Sequence, residues 1–170
     1  MKTVKLSGGM AFSQDKELET FSRMAARGKR LVGLGALGHG WSFEDAEPEQ
    51  AIFDVTYESE PDSGYFELFD KAGWARVFSH GNMHVFKAAP GTPPVHTTVE
   101  SQRDELVALR NSFARYAVVA VGVFVLVSVL TAIVDWNKWI EFWLLFVAFI
   151  PLVYTVMPLI GFTVKLRRVD

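Results

Sequence analysis

Between Tyr116 and Val164 this chain holds more unbroken apolar sequence than a soluble core of its size needs, and that decides how the rest is arranged. Tyr116 to Val134 is 19 residues without a charge. As a helix it reaches about 28 Å, close to the hydrocarbon thickness of a bilayer. A second run, Trp139 to Val164, has 26 residues and one charge, Glu141, enough to span with tilt. Only Asp135 to Lys138 separates them, so the pattern predicts a transmembrane hairpin. Pro151 and Pro158 are seven apart on one face of the second helix and are expected to bend it.

Flanking charge predicts orientation. Arg103, Arg110 and Arg115 precede the first span, and Lys165, Arg167 and Arg168 follow the second. The loop has only Lys138, beside Asp135 and Glu141, with Trp136, Trp139 and Trp143 clustered around it. Basic residues favour the cytoplasmic side and indole rings favour the headgroup layer, so both termini are expected in the cytoplasm.

The residues ahead of the spans suffice for one soluble domain. Residues 1–95 are mildly acidic, and no basic surface suited to nucleic acid is evident. There is no cysteine, which removes disulfides and thiolate metal ligands from consideration. The N-terminus has no apolar stretch of signal-peptide length, so the first span is expected to act as the targeting signal.

Thr3 to Leu6 alternates like a short strand, and Ser7-Gly8-Gly9 ends it. Ser13 is a plausible helix N-cap, with Asp15 and Glu17 in the first turn, before Leu18, Phe21, Met24 and Ala25 recur at helical spacing up to Gly28. Arg30 to Leu34 and Trp41 to Glu44 read as strands joined by a glycine-rich reversal. The order then begins again. Phe53, Val55 and Tyr57 alternate with polar residues, and Glu60-Pro61-Asp62-Ser63 opens a helix that Gly73 stops. Trp74 to Ser79 and Met83 to Lys87 form a hairpin about His80-Gly81-Asn82.

Gly28 lies over Gly73, Val32 over Val77, Phe43 over Phe86 and Pro48 over Pro90. The pattern therefore predicts an α+β fold over residues 1–90: duplicated β-α-β-β units forming one antiparallel, six-stranded sheet with two helices on one face. Residues 91–97 form a proline-rich linker. Residues 98–115, capped by Thr97 or Thr98, form an amphipathic juxtamembrane helix leading into the spans at 116–134 and 139–164.

Several motifs in order carry a resemblance. They are Phe12-Ser13 with Asp15, Glu17 and Glu19; Met24-Ala25-Ala26-Arg27-Gly28 with Arg30-Leu31; Glu47-Pro48; Phe66-Glu67-Leu68-Phe69 with Ala72-Gly73-Trp74; and Val85-Phe86-Lys87. Residues 1 to about 110 resemble the bacterial domain-of-unknown-function family 2812. Two positions depart from its pattern: Lys29 and Phe21 stand where that family usually has tryptophan. The resemblance implies a bacterial cytoplasmic domain on a membrane hairpin, often near PadR-type transcriptional regulators, with no established activity and no catalytic residue.

Gly33, Gly35 and Gly38 satisfy G-x-G-x-x-G, but strand alternation follows them where a dinucleotide site needs a helix, so a hairpin turn is expected. His39, His80, His84 and His96 have no ligand partners at metal-binding spacing, so no metal and no cofactor is expected. Duplicated units of this order also resemble, in fold alone, the effector-binding domains of drug-responsive regulators, which hold small molecules between their halves. Trp41, Tyr57, Trp74 and His84 are candidate ligand-binding residues, because aromatic side chains on strands suit a flat apolar ligand. Leu106, Leu109 and Phe113, with Val99, are candidates for a partner surface, modestly favouring a homodimer. The expected function is a non-enzymatic regulatory or sensory membrane protein whose cytoplasmic domain binds a partner protein or small ligand. The alternative is an accessory subunit of a membrane transporter or envelope-stress complex.

Overall fold

The structure, a computed structural model, describes residues 2–35, 38–95 and 99–169, with backbone alone for 99, 100, 168 and 169. It divides into two units, Met1–Ser101 and Gln102–Asp170. The caps proposed at Thr97 and Thr98, and His96, lie outside the described residues.

In the first unit the order is β1 (Thr3–Lys5), α1 (Met10–Ala26), β2 (Lys29–Leu34), β3 (Trp41–Asp45), β4 (Ile52–Tyr57), α2 (Ser63–Lys71), β5 (Ala75–His80) and β6 (Met83–Ala88). Each half runs strand, helix, strand, strand. All pairings are antiparallel, in the orders β1-β3-β2 and β4-β6-β5, so the last strand of each half is central. The ladder slips between Leu31 and Gly33 in β2 and between Arg76 and Phe78 in β5, leaving Val32 and Val77 as the extra residues. Both helices are followed by a glycine at positive φ, Gly28 at 72° and Gly73 at 88°. A side chain at Gly28 would also place its Cβ 2.8 Å from the Ala46 carbonyl oxygen, so the reversal requires glycine.

Helix starts divide by their chemistry. Asp62 caps α2, its carboxylate accepting from the Tyr65 amide at 2.7 Å. Ser13 is a kink inside α1 (φ −137°, ψ 38°) rather than its cap, and its hydroxyl donates to the Gly9 carbonyl. The preceding Gly9-Met10 turn already supplies the helical entry.

The α+β class holds, but the six strands form two three-stranded sheets instead of one. The helices also do not share a face. Phe21 of α1 is fully buried and meets Trp41, Phe43 and Phe53 at centroid distances of 4.9, 6.2 and 5.7 Å. Its core takes in Leu31 from the first sheet and Val55 and Val85 from the second. Helix α2 covers the opposite face of the second sheet, where Phe69 and Phe66 pack on Phe86 and the Tyr65 hydroxyl donates to Thr56 Oγ1 at 2.6 Å. The reason lies in β4 and β6, which are apolar on both faces: Phe53, Val55 and Val85 on one, Ile52 and Phe86 on the other. A strand buried on both sides needs a layer on each.

In the second unit, α3 (Val99–Ile133) and α4 (Lys138–Val169) form the hairpin. The juxtamembrane segment and first span are one helix. Its 35 residues reach about 52 Å. Asn137 caps the return, accepting from the Trp139 amide at 3.0 Å, and α4 stays helical through Pro151 and Pro158. Small residues Ala117, Ala120, Thr131 and Ala148 are buried, as close helix approach requires. Both helices are long and apolar enough to cross a membrane, and only 11% of the most apolar stretch of either is buried. A soluble core helix would be mostly covered, so this exposure fits a membrane anchor.

Candidate functional site

Strands β2 and β5 lie alongside one another yet belong to different sheets. Each is the edge of its own sheet, and each carries its bulge midway. A bulge leaves one residue unpaired and bends its strand, so two bulged edges cannot close into a continuous ladder. What remains is a cleft of about 390 Å³ at the seam, within the range of small-molecule sites.

Its apolar lining is Leu31, Val32, Phe53 and Val77, and its charged lining is Arg30, Arg76, Lys87 and Glu49. Leu31 and Phe53 also belong to the main core, so the packing of α1 fixes this wall before any ligand arrives. Lys87 Nζ donates to both Glu49 oxygens at 2.6 and 2.8 Å. Arg30 is 3.7 Å from Glu44, with both side chains about half exposed. The Arg76 guanidinium sits 4.2 Å from the centroid of the Phe66 ring, a cation–π contact.

The four aromatic and histidine candidates do not line this cleft. Trp41 is buried in the main core and donates its indole N–H to Glu17 Oε2 at 2.6 Å; Tyr57 is half-buried against the same core. Trp74 is in the second core and donates to the Pro93 carbonyl at 2.9 Å, tying the linker to the domain. The linker is tied a second time where the Val95 amide donates to Asp54 Oδ2 at 3.2 Å. His84 is buried beside Tyr65 and Phe66, its Nε2 2.9 Å from the Glu58 carbonyl and its Nδ1 2.8 Å from Ser79 Oγ. A carbonyl only accepts, so Nε2 donates to it, while Nδ1 shares a hydrogen bond with the serine hydroxyl. Of the partner candidates, Leu106 and Leu109 are buried and the Phe113 ring packs on Phe162 of α4 at 5.5 Å. The side chain of Val99 lies outside the described residues.

Glu17 is the residue whose role the sequence conceals. It is buried, and Oε1 accepts from Ser7 Oγ at 3.0 Å and the Gly8 amide at 2.6 Å while Oε2 holds Trp41. Three donors compensate a carboxylate that burial alone would disfavour. At the glycine-rich reversal the Gly35 amide donates to the Gly40 carbonyl at 2.8 Å just before β3, while residues 36 and 37 lie outside the described residues.

The family model described as Protein of unknown function (DUF2812) matches residues 13–118. The chain belongs to the DUF2812 family. The DUF2812 match runs from α1 into α3 and includes every residue lining the seam cleft, whereas α4 lies beyond it. No curated protein and no solved structure matches the chain. The chemistry of this DUF2812 protein therefore has to be read from its own side chains.

Proposed function

We propose that this DUF2812 protein is a membrane-anchored regulatory or sensory protein, not an enzyme, that takes a small, largely apolar ligand in the seam cleft. The observation that carries the reading is the cleft itself, with one wall built from core residues and charged groups at its rim. A route to the membrane follows from the linker. Arg76 and Val77 line the cleft on β5, and Trp74, which holds Pro93, immediately precedes that strand. A ligand that shifts β5 thus pulls on the segment leading to α3. In this reading both termini are cytoplasmic and the cell is bacterial, as the flanking basic residues and the family resemblance imply.

The chain lacks cysteine, so single thiols report on chosen places. In the full-length protein in detergent, Val77→Cys should be alkylated by iodoacetamide more slowly when 2-naphthoate or 2-naphthylmethanol is present. Ser63→Cys, at the exposed start of α2, should react at an unchanged rate. An alkylation rate at Val77→Cys that neither probe lowers would remove the ligand reading. For orientation, Asn137→Cys should react with an impermeant thiol reagent on intact cells and Ser63→Cys should not.

The second reading, an accessory subunit docked through its hairpin on a larger membrane protein, draws on the exposed apolar surface of α3 and α4. That surface includes a groove of about 590 Å³ lined by Val123, Val127, Trp139 and Trp143, among others. Co-purification of a larger membrane protein, lost when the hairpin is exchanged for an unrelated one, would favour it. Self-association through Leu106, Leu109 and Phe113 would add to burial that the first two already have within one chain.

A further inference from the structure

We infer that the seam cleft selects anions: its ligand is a small amphiphile with a compact apolar body and one carboxylate or similar oxyanion, engaged by Arg30 and Arg76. This rests on the cleft being a ligand site and specifies what that site takes.

The first argument is local charge against background. Three cations and one carboxylate line the cleft, while residues 1–95 as a whole carry more acidic than basic side chains. The positive lining is therefore not part of a generally basic surface, and a cleft walled by apolar groups concentrates such a field. The second is which cations are free to act. Lys87 and Glu49 satisfy each other at 2.6 and 2.8 Å. Arg30 is only loosely held by Glu44 at 3.7 Å. Among the described residues, no carboxylate lies within ion-pair distance of Arg76. Its contact with Phe66 is a cation–π one at 4.2 Å, and among the described residues its guanidinium N–H groups donate no hydrogen bond.

The third argument is shape. Val32 and Val77 are the two bulge residues, and both line the cleft with Leu31 and Phe53. An apolar body between them brings an attached oxyanion to the arginines that precede each valine, directly in β5 and after one residue in β2. Arginine pairs with a carboxylate through two parallel N–H···O bonds, which lysine cannot match. A neutral molecule of the same shape gains the apolar contact alone.

The test uses the two naphthalene probes, which differ in charge but little in shape, on Val77→Cys full-length protein. Free probe concentration is fixed by dialysis so that uptake into detergent does not enter. Half-protection should need about tenfold less 2-naphthoate than 2-naphthylmethanol, the size of one charge-assisted contact. Adding Arg76→Gln should erase that difference while protection by the alcohol persists, which also shows that the cleft is still formed. Arg30→Gln is the second variant, decisive if Arg76→Gln abolishes protection by both probes. Equal protection of the parent by the two probes would overturn the anion inference and leave the ligand reading intact. Protection by neither overturns both. A preference for naphthoate that survives both glutamine variants would also overturn the assignment to the arginines.

Discussion

The first half of the domain, Thr3 to Asp45, and the second, Ile52 to Ala88, share strand order and bulge position yet solve different packing problems. Helix α1 serves both sheets, whereas α2 covers one face of its own sheet. Positions that correspond by their distance from the helix-ending glycine show the consequence. Phe21 and Phe66 both stand seven residues before it, but Phe21 is fully buried and Phe66 is half-buried. Glu17 and Asp62 both stand eleven before it, one a buried clasp holding Trp41, the other an exposed helix cap. Backbone topology can thus repeat while side-chain duties diverge, because the duties follow from how many layers each helix must cover.

The sharpest break in the comparison is at the phenylalanines. Phe21→Ala removes a ring that three other rings touch and should cost about 3–5 kcal/mol. Phe66→Ala should cost roughly half as much, since part of that ring is already in water. Chemical denaturation of the full-length protein followed by tryptophan fluorescence measures both. Equal losses would mean that α2 is as central as α1.

Next comes the acidic pair. Glu17→Leu leaves the Trp41 indole and the Gly8 amide without their acceptor and should destabilise by about 2–3 kcal/mol. Asp62→Ala removes an exposed N-cap and should cost about 1 kcal/mol. If the order is reversed, Glu17 is not the clasp its three donors indicate.

A smaller effect of opposite sign is expected on the central strands. Counting along the paired registers, Ser42 of β3 corresponds to Val85 of β6. Val85 is fully buried in the main core, whereas Ser42 Oγ is buried with no hydrogen-bond partner. Ser42→Val should raise stability by about 1 kcal/mol, because an unmade hydrogen bond is removed and a β-branched residue suits a strand. A loss instead would show that the hydroxyl is satisfied in solution, for example by water.

Much of this architecture was legible in sequence. Alternation about Phe53, Val55 and Tyr57, the helix opening at Glu60-Pro61-Asp62-Ser63 and the stops at Gly28 and Gly73 are local signals, and local signals survive folding. The hairpin was equally plain, because 19 uncharged residues leave few alternatives. What sequence could not show is which strand edges meet. The seam joins residues of β2 and β5 more than forty positions apart, and Arg30, Arg76 and Lys87 look there like ordinary strand-face charges. Sequence likewise marks Trp41, Tyr57, Trp74 and His84 as aromatic residues on or beside strands, but not how closely their neighbours pack against them. Both faces of β6 are apolar, yet its short run MHVFKA reads as simple alternation, and this hid the layer that α2 adds.

The smallest expected effect lies at the residue after each glycine, Lys29 in the first half and Trp74 in the second. Trp74 anchors the linker, but Lys29 forms an ion pair with Asp45, its ladder partner on β3. The hydrogen bond from Lys29 is the largest cause holding the Asp45 carboxyl at about 2, below its ordinary 3.8. Because the folded value is the lower one, the pair stabilises the fold above pH 3.8, and that contribution is lost as pH falls toward about 2. Asp45 is solvent-exposed, so the contribution is small and weakens with salt. Acid unfolding of the parent and of Asp45→Asn should therefore differ slightly at pH 5 and converge near pH 2, with the gap narrowing in high salt. A gap that persists at low pH would mean that Asp45 acts through packing or backbone contacts instead of charge. Lys29→Trp would then be the informative exchange, since it gives the first half the residue that the second uses to hold its linker.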